Sequence, residues 1–291
     1  MESGEWRDGI EVESCQTSDF TPHTSDFPIR YFYQENGGKH RAVNHGVREA
    51  KGELFFIADS DDMLPPDALQ IVAKVYEEIK DDTSFAGVCG LDGTFEGKVI
   101  GSGLPQQVLD TPSVDIRFKY GVTGDMKEVF RTSVLKEFPF PEIEGERFCP
   151  EMLLWNRIAT KYKLRYFNKI IYLAEYQEGG ISAGIVKARM KSPVASMMTY
   201  AELMDFPVVP VKEKLKAAIN YWRFRFCFDN VTQKTQKTRK SDKDENDNVT
   251  QISRISQIHN EDERYPKLNW WWNGVMPVGY VMHLRDKRAH G

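Results

Sequence analysis

Leu54-Phe55-Phe56-Ile57-Ala58-Asp59-Ser60-Asp61-Asp62 constrains this chain more than any other stretch. A short apolar run ends abruptly in closely spaced carboxylates. Such a run reads as a strand buried on both faces, the kind found in the middle of a parallel sheet. Carboxylates at its exit sit where open α/β sheets bind ligands, outside the carboxyl ends of the strands. Asp59, Asp61 and Asp62 repel one another unless a cation shares the site. Mg²⁺ or Mn²⁺ suits such oxygens, using one or two carboxylates together with substrate phosphates. The plainer reading is an acidic turn that caps the helix opened by Pro65 and Pro66.

The residues before this stretch build a unit around it. Ile29-Arg30-Tyr31-Phe32-Tyr33 has the aromatic and β-branched content of a strand. Asn36-Gly37-Gly38 is turn punctuation, and a helix begins at Lys39 or His40. Ala42, Val43, Gly46, Val47 and Ala50 recur at helical spacing, so the helix lays a small-residue face on the sheet; Gly52 stops it. Strand, glycine turn, helix and strand make a βαβ unit. A glycine turn feeding a helix N-terminus, with Lys39 beside it, has the makings of a phosphate site.

Composition narrows the class. With 41% apolar and 28% charged residues over 291 positions, the chain has material for a large soluble domain with an extension. A net charge of -4 gives no reason to expect nucleic acid as a partner. Cys15, Cys89, Cys149 and Cys227 show no C-x-x-C pairing, so neither a zinc site nor a disulfide framework is signalled. No signal-peptide pattern and no apolar stretch of spanning length is found, which points to the cytoplasm.

Further along, residues 65–80 read as a helix with Ala68, Ile71, Val72, Val75 and Ile79 in one stripe. Residues 85–90 read as a strand with Cys89 as a core residue, and 93–107 as a loop or hairpin. Residues 114–120 and 127–131 read as strands. Pro150 opens a helix at its favoured first position, placing Glu151 in the first turn, where the dipole favours an anion. The residues three, four and seven places on are Leu154, Trp155 and Ile158, so Glu151 is expected on the buried face. A carboxylate aimed inward is a candidate general base, with Glu146 its nearest competitor; the alternative is an acid that only offsets the dipole. Residues 192–204 and 211–228 read as helices, the second with a stripe of Leu215, Ile219, Trp222 and Phe226. Its basic rim, and Trp270-Trp271-Trp272 followed by Arg285, Lys287 and Arg288, suit either a membrane surface or ordinary packing. Residues 1–28 show no apolar period and read as a divergent or disordered head; about 230–262 reads as a polar linker.

Several of these segments together resemble a known family. Gln34-Glu35-Asn36-Gly37-Gly38-Lys39, then Asn44-His45-Gly46-Val47-Arg48-Glu49-Ala50-Lys51-Gly52-Glu53, then Ala58-Asp59-Ser60-Asp61-Asp62, is similar to the central signature of family 2 glycosyltransferases. That signature is Q-E-N-x-G-x-x-x-A-x-N-x-G-I-x-x-A-x-G-E, followed by a hydrophobic strand and D-x-D-D. The resemblance implies a GT-A fold, a Rossmann-like nucleotide-sugar-binding domain on a mixed, mostly parallel sheet, here spanning 29–190. Residues 191–291 form a helical C-terminal extension. It implies transfer of a sugar, with inversion, from a nucleotide donor (a UDP-sugar foremost) to a saccharide or lipid-linked acceptor. It also implies a divalent metal, Mn or Mg. By position, Asn36, Lys39, Asn44, Asp59 and Ser60 would meet the donor, with Asp59 at the nucleoside, and Asp61 and Asp62 would hold the metal. Pro150-Glu151-Met152-Leu153-Leu154-Trp155-Asn156-Arg157 resembles the E-D-x-x-L-x-x-R element, with Glu151 in the place of the catalytic Asp. Asp125 falls where relatives border the acceptor pocket. Glu178-Gly179-Gly180-Ile181-Ser182 resembles the G-G-x-S loop over the diphosphate, making Gly179, Gly180 and Ser182 candidates, with Lys187 and Arg189 nearby.

The chain departs from the pattern at Val43, where many members carry Arg, and Arg41 stands two places earlier. The family's opening P-x-Y-N and D-D-G-S strand ends are absent from residues 1–28, so the resemblance implies that an N-terminal strand-helix-strand is lacking. The function expected is bacterial surface polysaccharide synthesis, in the cytoplasm or at the inner membrane face with peripheral membrane contact. The alternatives are a catalytically impaired nucleotide-sugar-binding relative and a Mg-dependent phosphotransferase.

Overall fold

The computed structural model describes residues 6–7, 10–12, 29–175, 181–239 and 268–290, in two compact units, 1–37 and 38–291. In the first unit, β1 (Trp6–Arg7) pairs antiparallel with β2 (Ile10–Val12), which pairs parallel with β3 (Ile29–Tyr31). The head read as structureless thus contributes two short strands; its other residues lie outside those described.

The second unit opens with α1 (Lys39–Glu49), which buries His40, Asn44 and Val47 along one face. Then come β4 (Leu54–Phe56), α2 (Ala68–Glu77), β5 (Phe85–Gly93), β6 (Val108–Thr111), α3 (Ser113–Phe118), β7 (Met126–Arg131) and α4 (Thr132–Glu137). After these follow α5 (Glu151–Ala159), β8 (Lys163–Leu173), α6 (Ile181–Lys191), α7 (Pro193–Met204), α8 (Val211–Arg239), a 3-10 turn (Trp270–Val275) and α9 (Met276–His290).

The class is α/β with C-terminal helices, as expected, but the sheet is not mostly parallel. Its strands lie in the order β4-β7-β5-β8-β6, and the β5–β8 pairing alone is parallel. β7 enters antiparallel between β4 and β5, setting Phe55 opposite Phe130 and Val88 opposite Val129. That insertion corrects the position of β4. It is an edge strand of the described sheet, half-buried along its length. Its apolar run still has a cause on each face. Phe55 packs into the core on the α5 side, while Leu54 and Phe56 pack under α2. The buried middle belongs to β5, every residue of which is covered.

Helices cover both faces of the sheet. On one, Ala68, Val72, Tyr76 and Ile79 meet Phe85, Val88, Val129, Phe167 and Ile171. On the other, Leu153, Leu154 and Ile158 meet Leu91, Phe130, Leu164 and Tyr166. Burying apolar side chains on both sides is what holds such a three-layer arrangement. Cys89 lies in this core, and burial pushes its thiol well up. Cys89, Cys149 and Cys227 are buried and unbridged.

Two expected elements differ. The stretch 114–120 is not a strand: its residues 114–118 belong to α3. The Val-Asp-Ile-Arg-Phe alternation imitates a strand period, but the Pro112 carbonyl accepts from the amides of Asp115 and Ile116 at 3.1 and 3.3 Å. A turn of helix also buries both Val114 and Ile116. At the C-terminal side, α8 continues to Arg239, into the stretch read as linker. The rest of that stretch, residues 240–262, lies outside those described.

The C-terminal helices pack on the α5 side of the sheet. Ala195 of α7 joins the α5-side core, and Arg157 of α5 forks onto the Glu202 carboxylate at 2.9 and 2.7 Å. Tyr221, Trp222, Phe224 and Phe226 of α8 make a second apolar cluster with Met197 and Ala201 of α7. α9 docks where Gly279 lets its backbone reach Trp222; a Cβ there would lie 2.5 Å from the Trp222 Cβ. Arg223 and Asp286 form an ion pair across that seam. Among the described residues no helix is long and apolar enough to cross a membrane.

Candidate active site

The acidic turn is tied down from beneath by a residue that the sequence did not announce. The Asp62 amide donates to the Asp59 carbonyl at 3.3 Å, closing the turn, and Met63 exchanges backbone hydrogen bonds with Leu173 at 2.9 and 2.8 Å. Next to Leu173, the Tyr172 hydroxyl accepts the Asp59 amide at 2.7 Å and is hydrogen-bonded to the Asp62 carboxylate. Burial and that carboxylate raise the phenol above its usual range. The Lys127 ammonium lies 3.5 Å from the Tyr172 ring centroid, a cation–π arrangement. Ser60 and Asp61 are exposed at the tip and Asp62 is half-buried.

Lys39 joins this turn to the start of α5. Its ammonium lies 2.7 Å from the Asp59 carboxylate and 2.9 Å from Glu151 Oε1. Burial works against its charge, but the Glu151 and Asp59 carboxylates prevail and hold its pKa above the ordinary lysine value. One cation therefore brings together two acids that are far apart in sequence. Glu151 is the first residue of α5, with Pro150 as its N-cap. Its side chain is 44% exposed, which corrects the expectation of a buried position. Leu154 and Ile158 do face the core, but the first residue of a helix projects past the packed layer, here toward Lys39.

α1 also holds the loop that delivers Glu151. Gly38 has φ 100° and ψ 151°, and a Cβ on it would lie 2.0 Å from the Arg147 carbonyl oxygen. Arg41 donates to the carbonyls of Glu146 and Ile143 at 2.7 and 2.8 Å. Asn44 donates to the Phe140 carbonyl and Glu142 and accepts the Phe140 amide. Asn44 is thus occupied with the 140–142 segment and is not brought to the Lys39 cluster. Glu146, the competitor to Glu151, is buried, and its two oxygens accept the amides of Val194 and Ala195 at 2.7 and 2.9 Å. It serves as an N-terminal cap for α7. Burial still leaves its pKa raised against those two amides.

Beside the cluster, strand ends supply charges that sequence reasoning missed. Asp92, near the end of β5, is 7% exposed. Its Oδ1 has no hydrogen-bond partner among the described residues. Burial pushes its pKa up to about 6, with Lys127 opposing and Asp125, Asp62 and Glu151 adding to the rise. Burial likewise pushes Glu128 up to about 8, helped by Glu151 and Asp92. Asp125 sits exposed in the turn before β7, within electrostatic reach of Asp92. The available signal for Asp92 was a lone acid closing a long apolar strand.

Of the other expected residues, Asn36 is exposed and belongs to the first unit. Gly179 and Gly180 lie outside the described residues, and Ser182 is described only as part of α6. The Arg189 guanidinium lies over the rings of Phe148 and Tyr200, at 5.8 and 5.3 Å from their centroids.

Residues 15–98 match the family model described as Glycosyl transferase family 2, a match that begins inside the head. An uncharacterized glycosyltransferase of Rickettsia felis is 29% identical over 172 residues, covering 54% of this chain and 26% of that protein. Glycosyltransferase GlyG of Streptococcus pneumoniae serotype 4 is 25% identical over 169 residues, covering 54% of this chain and 55% of that protein. The chain therefore spans about a quarter to a half of the length of these curated relatives. A crystal structure of S. aureus TarS 1-349 is similar at a TM-score of 0.48 and 13% identity, over 91% of this chain and 73% of that one.

Proposed function

We propose, from the premise that this chain is a family 2-like glycosyltransferase, that it moves a sugar from a nucleoside-diphosphate donor to an acceptor hydroxyl with inversion. The observation carrying this reading is the Lys39 ammonium, hydrogen-bonded to Asp59 on one side and Glu151 on the other. It sets the donor-facing turn and the candidate base around one small space at the end of the sheet.

In the reaction, Glu151 takes the proton of the acceptor hydroxyl as its oxygen bonds to the anomeric carbon. The bond from that carbon to the diphosphate oxygen breaks on the opposite face, and the nucleoside diphosphate leaves with the electron pair. A positioned base of this kind contributes about 10²–10⁴-fold in rate. Asp59 addresses the nucleoside, and Lys39 supplies positive charge near the phosphates. Tyr172 keeps the turn in place through the Asp59 amide and the Asp62 carboxylate.

Asp61 and Asp62 would hold a divalent ion, Mn or Mg. Among the described residues no three Asp, Glu, His or Cys side chains converge as ligands. A carboxylate pair without a cage suits an ion that keeps waters and takes its remaining oxygens from the substrate. When bound, such an ion neutralises charge growing on the leaving diphosphate. A UDP-sugar donor, a saccharide or lipid-linked acceptor, and a place in bacterial surface polysaccharide synthesis complete the proposal. Peripheral contact with the inner membrane face is supported by α9 and the turn before it. There Trp270, Trp271 and Val281 are 75, 61 and 65% exposed, on the same segment as Arg285, Lys287 and Arg288.

The test is release of nucleoside diphosphate from a panel of nucleotide sugars with Mn²⁺ and Mg²⁺. Glu151→Gln and Asp61→Asn are each expected to abolish transfer while leaving the thermal unfolding curve unchanged. Near-native turnover in Glu151→Gln would refute the base assignment. Tight nucleotide-sugar binding with no release in the wild type would favour a binding protein instead.

A further inference from the structure

A buried carboxylate ordinarily has its oxygens hydrogen-bonded, because leaving them dry and unpaired is costly. This chain contains both situations. Glu146, 6% exposed, has each oxygen satisfied by a backbone amide of α7. Asp92, 7% exposed, leaves Oδ1 without any partner among the described residues. No cation among them lies within ion-pair distance of it. The candidate, Lys127, holds its ammonium over the Tyr172 ring at 3.5 Å instead. The backbone of Asp92 is already engaged, since its carbonyl accepts the Ile100 amide at 2.9 Å. The unmet capacity therefore belongs to the side chain alone.

Its place in the sheet gives that capacity a use. Asp92 is the register partner of Tyr172 across the parallel β5–β8 ladder, and Tyr172 is the residue that holds the Asp59–Asp62 turn. The charges acting on Asp92 are Lys127, Asp125, Asp62 and Glu151, all from the rim of the site described above. Other deeply buried acids have their oxygens satisfied, Glu146 by amides of α7 and Asp286 by the Arg223 guanidinium.

We infer that Asp92 is a hydroxyl-recognition subsite, its carboxylate accepting hydrogen bonds from a sugar hydroxyl bound between the acidic turn and Glu151. The inference rests on the transferase reading and deepens it by naming the residue that reads the sugar rather than the nucleotide. The hydroxyl can come from the donor sugar or from a saccharide acceptor, and the experiment separates the two.

Asp92→Asn keeps the shape and one acceptor oxygen, and Asp92→Ala removes both. Each would be compared with the wild-type chain in Mn²⁺ for binding of nucleoside diphosphate, binding of nucleotide sugar, and KM for donor and acceptor. Nucleoside diphosphate affinity is expected to stay within about twofold in both variants. If the hydroxyl is the donor's, Asp92→Ala weakens nucleotide-sugar binding by about ten- to a hundredfold, the range for losing a hydrogen bond to a charged group. If it is the acceptor's, acceptor KM rises by that factor and donor KM holds. Asp92→Asn is expected to fall between the wild type and Asp92→Ala. Unchanged sugar-dependent parameters in Asp92→Ala, or a parallel loss of nucleoside diphosphate binding, would overturn the inference alone. A wild-type chain that binds neither nucleotide nor nucleotide sugar would overturn the transferase reading and take this inference with it.

Discussion

Gly38→Ala tests whether α1 sets the position of the candidate base. Gly38 sits at φ 100° and ψ 151°, a region that is essentially reserved for glycine and costs other residues about 1–3 kcal/mol. The added Cβ would also start 2.0 Å from the Arg147 oxygen and 2.7 Å from its carbonyl carbon. Both neighbours are backbone, so neither can swing aside as a side chain does. The 143–147 loop must withdraw by about an ångström, straining the Arg41 hydrogen bonds to Ile143 and Glu146. Together these effects are expected to cost about 3 kcal/mol or more, which for a unit of this size lowers the midpoint of thermal unfolding by about 6 °C or more. The same withdrawal moves Glu151 relative to Lys39, and a misplacement of about 1 Å is enough to cost about a hundredfold in turnover. The assays are thermal unfolding followed by fluorescence, and nucleoside diphosphate release at saturating donor. A Gly38→Ala chain with wild-type unfolding and wild-type turnover would refute the claim that this close approach positions the loop.

Two further outcomes follow from Glu146 and Glu128. Glu146→Ala strips two buried amides of α7 of their acceptor, and hydrogen bonds to a charged group are worth about 1.5–3 kcal/mol each. A loss of about 3 kcal/mol or more in urea unfolding is expected, with Glu146→Gln losing about half. Wild-type stability in Glu146→Ala would show that the cap is idle. Glu128 is pushed up to about 8 by burial first and then by Glu151 and Asp92. The folded chain thus retains a proton that the unfolded chain releases in the ordinary carboxylate range. That contribution to stability is full below the ordinary value and is lost as pH rises through about 8. Urea midpoints between about pH 5 and pH 9 should therefore fall more steeply in the wild type than in Glu128→Gln, and parallel profiles would contradict the shift.

What could be read from sequence was what is local. Gly37-Gly38 and the stripe of α2 are set by short-range rules and appear where expected, whereas α1 turns His40, Asn44 and Val47 inward and leaves Ala42 of its expected small-residue face exposed. The α3 segment failed for the same reason in reverse. Val114-Asp115-Ile116-Arg117-Phe118 alternates like a strand, and the turn set up by Pro112 outweighs the alternation. The β4 run failed at longer range. Its apolar residues do pack on both faces, but no local pattern could say that β7 would slip in antiparallel beside it and leave it at an edge. Tyr172 and Asp92 were illegible because their roles exist only through the β5–β8 register. Val43, by contrast, packs against the α5-side core, and Arg41, two residues away and so on a different face of the helix, holds the loop carbonyls.

Glu146 and Glu151 competed in the sequence, the structure adds Asp92 beside them, and the hydrogen bonds their oxygens make separate the three. Glu146 has both oxygens committed to α7, so using it as a base would uncap a buried helix end. Asp92 is as deeply buried and has an oxygen to spare, but it lies at the end of β5, a place suited to reading a bound group. Glu151 is half-exposed at the first position of α5, and its ion-pair partner among the described residues is Lys39, which also pairs with Asp59. A base must reach substrate and exchange a proton with it without dismantling the fold, and of the three only Glu151 meets both conditions.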